Sequence, residues 1–231
     1  MITYLFSVLT LLVFALIVAA GVVEHRSAIR KRHRLLDESH DLLRDPGIRL
    51  APDQFPVVTG RIADGRRIRL ELIADTMVTR RLPQLWLSVT LLETQTRDIP
   101  TLGALARPTG SEYYSLVHGL PDWMTPPATE VPLLMRGDGR ATPEQALAAR
   151  ETFGKLFADP QVKEAVMTQK ATRVIYQASQ GTRAAHMFLR QAQFSLETVP
   201  ASTIELAVEL AVELSAILIK DSEPSHAFQA A

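Results

Sequence analysis

Met1 to Val23 carries no charged side chain, and a helix of that length spans roughly 33 Å, enough to cross the hydrocarbon core of a bilayer. A cleaved export signal would place a Lys or Arg before a shorter apolar region. Here no basic residue precedes the run, although Val18-Ala19-Ala20 has the small side chains of a cleavage site. Directly after it come Arg26, Arg30, Lys31, Arg32 and Arg34. Basic clusters beside a span stay on the cytoplasmic side. The expectation is therefore a retained single-pass anchor in a bacterial inner membrane, N-terminus out and C-terminal domain cytoplasmic. Tyr4 and Phe6 suit the outer interface.

The charge distribution follows the same axis. From Glu24 to Arg81 there are 13 Lys and Arg against 9 Asp and Glu; from Leu82 to Ala231 there are 12 against 16. The basic half adjoins the bilayer, where anionic headgroups attract it. A neutral total, 25 basic against 25 acidic residues, is not the composition of a nucleic-acid-binding chain. With no cysteine, disulfides, thiol chemistry and Cys-based zinc sites are excluded.

Residues 24–45 read as a basic juxtamembrane helix or stem. Apolar pairs at Ala28-Ile29, Leu35-Leu36 and Leu42-Leu43 recur every seven residues and form one narrow stripe. Such a stripe either pairs two copies as a short coiled coil or lies on headgroups or on the chain's own domain. Pro46-Gly47 is expected to end that helix.

Residues 46–221 read as an α+β domain with a mainly antiparallel sheet, followed by a flexible tail at 222–231. In "PVVTGRIADGRRIRLELIAD", Val58, Gly60 and Ile62 alternate on one face, as do Ile68, Leu70 and Leu72. Asp64-Gly65 between them supplies a tight hairpin turn. "LWLSVTLLET" alternates again through Leu85, Leu87, Val89 and Leu91, and "SEYYSLVH" and "EVPLLM" read as shorter strands. Thr142, Pro143 and Gln145 spell a capping box that opens a helix, and Asp159-Pro160 suggests a second short one. "ATRVIYQA" and "AAHMFLRQAQFSLE" read as a hairpin about Gln180-Gly181, with His186 as a strand residue. The last element is a helix from Pro200, with Glu205, Glu209 and Glu213 on one stripe. Those charges argue against a second membrane span.

No catalytic, cofactor or metal motif emerges. Ser111, Ser115, His118 and Asp122 offer hydrolase residue types but no activating turn, and "GRIADGRR" lacks the spacing of a phosphate loop. Arg61, Arg66, Arg67, Arg69, Arg80 and Arg81 form a basic set. Arg66, Arg67 and Arg69 join Arg26, Arg30, Lys31, Arg32 and Arg34 as candidate contacts for anionic lipid or a partner.

Gly60-Arg61 and Gly65-Arg66 about the hairpin turn, the run from Asp75 to Leu87 ("DTMVTRRLPQLWL") and Arg107 to Glu112 ("RPTGSE") resemble an uncharacterised family of bacterial single-pass membrane-anchored proteins. The resemblance runs in outline from Thr59 to Ile219. It implies a bacterial inner-membrane setting and no activity. The functional expectation is an accessory, assembly or scaffold subunit that binds another membrane protein or complex. A lipid- or ligand-sensing module and a membrane-tethered hydrolase using Ser115 and His118 are the alternatives.

Overall fold

The uncharged N-terminal run and the basic run after it form one continuous helix, α1 (Ile2–His33). In the computed structural model, which describes residues 2–76, 81–183 and 194–217, α1 is long and apolar enough to cross a membrane. Its large apolar side chains from Leu9 to Val23 are exposed, as is Tyr4; the Phe6 side chain lies outside the described residues.

The helix stops earlier than the juxtamembrane spacing predicts. It ends at His33, a short 3-10 turn covers Asp37–His40, and a strand, β1 (Arg44–Leu50), already contains Pro46 and Gly47. Burial explains the difference. Leu35, Leu36 and Leu43 sink into the core of the domain that follows, an outcome worth about 1.5–3 kcal/mol for each fully buried side chain. Two of the three apolar pairs are thus occupied within the chain, and the stripe expected to pair two copies is not free along its length. Pro46 is tolerated because β1 is an edge strand, and its register breaks between Arg44 and Gly47.

The remaining strands are β2 (Pro56–Arg61), β3 (Arg67–Asp75), β4 (Gln84–Leu92), β5 (Leu102–Ala106), β6 (Asp122–Met124), β7 (Leu133–Gly137), β8 (Val162–Met167) and β9 (Ala171–Gln180). They form one nine-stranded sheet in the order β1-β2-β3-β4-β9-β8-β5-β7-β6, antiparallel at every pairing. With two further helices, α2 (Pro143–Leu156) and α3 (Ala201–Ala216), the architecture is α+β.

The sheet's two faces differ. On one, Ile68, Leu70, Leu87, Val89, Leu91 and Val174 join the main core with Phe153 of α2 and Ile204, Ala207, Ala211 and Leu214 of α3. The period-2 pattern of β3 and β4 dictates this face. On the other, the segment after β5 folds back over the middle strands. Its Tyr114 packs with Trp86 and Ile175, and its Val117 with Leu105 and Val166. The β1–β3 part of this second face has its own side-chain set, described below.

Local signals behave as their chemistry requires. Gly65 takes φ 89° in the β2–β3 turn, and Thr142 caps α2 through the reciprocal bonds of a capping box with Gln145. Two short elements depart from expectation. "SEYYSLVH" is turns and a 3-10 helix rather than a strand, because Glu112 gathers the loop's donors inward. Asp159 does not start a helix; its carboxylate accepts from Gln161 N at 2.8 Å, a turn that feeds directly into β8. β9 sits between β4 and β8. Its expected partner strand, with His186, lies largely outside the described residues, beyond a single bridge from Gly181 to Phe194.

Candidate binding surfaces

The joint between α1 and the domain carries a dense set of basic side chains and hydrogen bonds. Arg26, Arg30, Lys31, Arg32 and Arg34 are all exposed, and Arg32 also lies over the Phe55 ring, 5.3 Å from its centroid. Just beyond, Leu35 O accepts from Val199 N at 2.8 Å. The Glu38 carboxylate accepts from Thr198 Oγ1 and from Ala201 N, both at 2.6 Å, and so caps the start of α3. These bonds hold its carboxyl below the usual range. The segment leaving α1 is therefore fastened to the helix that covers the sheet.

Beside α3 runs a groove of about 630 Å³. Leu42, Leu43, Ile62, Val208 and Val212 supply its apolar lining. Asp64, Glu205, Glu209 and Glu213 supply its acidic side. The three glutamates stand four residues apart on one helix face and are exposed. Like charges at that spacing destabilise a helix by roughly 0.2–0.5 kcal/mol per pair.

The arginine set expected from the sequence divides. Arg66 turns to the α3 side, bridging Asp64 at 2.6 Å and donating to Ser215 Oγ at 2.7 Å. Arg69 pairs with Glu71, and Arg81 with the buried Asp75 at 3.2 Å; Arg80 lies outside the described residues. Arg67 remains exposed on the second sheet face. There it stands directly opposite Arg61, which stands directly opposite Arg44 on the edge strand. Arg49 shares this face opposite Val57. Arg44 and Arg49 escape the sequence reading because Pro46-Gly47 looks like a helix stop, and because strict alternation would put them on opposite faces; the register break between Arg44 and Gly47 brings both to one.

Glu112 and Lys163 form a buried pair, both side chains fully buried and 2.9 Å apart. Lys163 Nζ also donates to Ala106 O at 2.7 Å and Arg107 O at 3.1 Å. Glu112 accepts from Thr109 N and Gly110 N, and lies 3.3 Å from His118 Nε2. Burial alone would raise the Glu112 carboxyl. The hydrogen bond and charge of Lys163, with the Thr109 hydrogen bond, overcome it and hold the group down to about 2. Beside it, Glu164 takes Arg173 and accepts from Leu116 N at 3.1 Å. This network pins the covering loop to the sheet. Ser115 Oγ accepts from Val117 N at 3.2 Å, and His118 turns to Glu112. The two do not form the nucleophile–base pair that the hydrolase alternative requires.

No protein-family model and no curated protein matches the chain. Among solved structures, the crystal structure of the mycobacterial trehalose monomycolate transport factor A (TtfA) matches over 70% of each chain, with 12% identity and a TM-score of 0.39. A likeness at that level carries no argument about activity.

Proposed function

We propose that this chain is a membrane-anchored accessory or scaffold subunit that binds another membrane protein. The observation that carries the proposal is the acidic-sided apolar groove beside α3, whose Leu42 and Leu43 belong to the segment between α1 and the edge strand. An apolar strip flanked by Glu205, Glu209 and Glu213, with Asp64 already bridged by Arg66, complements an amphipathic helix with Lys or Arg at its edges. The i,i+4 glutamate stripe, unfavourable in isolation, becomes favourable when such a helix lies along it. The anchor confines the groove to the neighbourhood of a bilayer, where juxtamembrane helices of other proteins carry that charge. The same positive-inside logic supports an inner-membrane setting, N-terminus out and domain cytoplasmic. The basic run Arg26, Arg30, Lys31, Arg32 and Arg34 acts as the topological lock.

A photo-crosslinking side chain at Val208 or Val212, in the full chain in native membranes, tests this. The expected result is one discrete protein adduct that Glu209→Lys, Glu213→Lys abolishes while the chain stays folded. Adducts to lipid alone, or an adduct indifferent to that charge reversal, would overturn it. An alkaline phosphatase fusion after Pro46 tests the orientation, and activity there would reverse it.

A further inference from the structure

Arg44, Arg61 and Arg67 form a row across three neighbouring strands, each directly opposite the next on one sheet face. Strands lie about 4.8 Å apart, so the backbones that carry the three arginines lie within a strip only about 10 Å wide. Like charges directly opposite one another destabilise a sheet. Nothing among the described residues neutralises the row. Asp64, the turn carboxylate, is taken by Arg66, and Glu71 by Arg69. Asp45, in the bulge beside Arg44 at φ 51°, makes no ion pair among the described residues. Arg61 Nη1 donates to Gly65 O at 3.0 Å, and all three arginines are exposed. On the adjoining row Arg69 keeps a buried Nε with no partner.

We infer that this row is an anion site, and that its occupants are the phosphates of anionic lipid headgroups. A guanidinium fork binds phosphate in a bidentate manner, and three adjacent forks match an array of singly charged phosphodiesters. Two observations favour lipid over a soluble phosphate. The row lies on an open strand face whose arginines are exposed, which suits a plane of headgroups. It also lies close along the chain to the exposed Arg30, Lys31 and Arg32 that end α1, because Arg44 opens the edge strand that follows the short turn after that helix. The inference rests on the membrane-anchored reading but needs no protein partner. Within it, Arg67 keeps the lipid role expected of the hairpin, whereas Arg66 and Arg69 are diverted to Asp64 and Glu71.

The test uses the full chain in an uncharged detergent, with thermal unfolding followed by circular dichroism at constant ionic strength. Short-chain phosphatidylglycerol should raise the midpoint of the natural chain by about 3–8 °C, and phosphatidylcholine should leave it unchanged. R44Q/R61Q/R67Q should unfold at a higher temperature than the natural chain without lipid, since repulsion is relieved, and should lose most of the phosphatidylglycerol response. R30Q/K31Q/R32Q, changed only on α1, should keep the response. An equal rise with inorganic phosphate would assign the site to free phosphate and overturn the lipid occupant. A triple variant that is less stable, or that keeps the full response, would overturn the site itself. Failure of the groove to capture a protein leaves these outcomes untouched.

Discussion

Lys163 Nζ lies 2.9 Å from Glu112 Oε1, with both side chains fully buried beneath the loop that closes the second sheet face. Removing one member of such a pair leaves an uncompensated charge in the interior. Lys163→Met should therefore cost about 3–5 kcal/mol, read as a lower urea midpoint of the full chain in detergent. Glu112→Leu should be comparably damaging, because Thr109 N and Gly110 N lose their acceptor as well. The double variant should lose less than the sum of the two, since neither charge is then stranded. Strict additivity would show that the pair is not coupled.

The same carboxylate sets an acid limit. Glu112 is held down to about 2 in the folded chain, against an ordinary value of 4.5. A depressed carboxyl contributes stability that is present above its unfolded value and lost as pH falls toward the folded one. The contribution is thus complete above pH 4.5 and disappears progressively between pH 4.5 and 2. Urea midpoints of the natural chain should fall more steeply across that window than those of Glu112→Gln, which cannot titrate there. Parallel curves would remove Glu112 from the acid response.

Glu38 ties the segment after α1 to the domain by capping α3 and holding Thr198. Glu38→Ala should fray the start of α3 and loosen the Leu35–Val199 contact beside it. The expected outcome is faster trypsin cleavage after Arg34, whose side chain is exposed, with the sheet core intact by circular dichroism. Unchanged cleavage would show that Leu35 and Leu36 alone secure the joint.

How much of this was visible in the chain depends on the range of the interactions involved. The long apolar N-terminal helix, the hairpin around Asp64-Gly65, the inward residues of β3 and β4, the capping box at Thr142 and the helix bearing Glu205 are written in local periodicity and turn chemistry. What was not legible depends on partners far along the chain. Lys163 and Glu112 are 51 positions apart and nothing in either neighbourhood names the other. The arginine row needs the pairing of β1 with β2, and β1 was hidden because Pro46 favours a helix-stop reading when burial of Leu35, Leu36 and Leu43 is unknown. Arg66 looked equivalent to Arg67 until α3 brought Ser215 to it.

Gly60 shows the same long-range constraint from the other side. A Cβ there would stand 2.9 Å from Leu43 Cβ and 3.1 Å from Arg44 O, so a backbone and a core side chain would both have to move. Those atoms belong to the segment that joins α1 to the edge strand and to that strand's first residue. Gly60→Ala should accordingly cost about 1–3 kcal/mol by overpacking. It should also speed trypsin cleavage after Arg34 and Arg44, because the joint is what gives way. Gly65→Ala is the control: nothing lies within 4 Å of its added carbon, and only the turn's φ of 89° is strained, a cost of about 1 kcal/mol that leaves the joint closed. Unfolding midpoints and cleavage rates of the two variants decide the matter. If Gly60→Ala is no worse than Gly65→Ala, and Arg34 stays protected, the close packing of Leu43 on β2 is not what locks α1 to the domain.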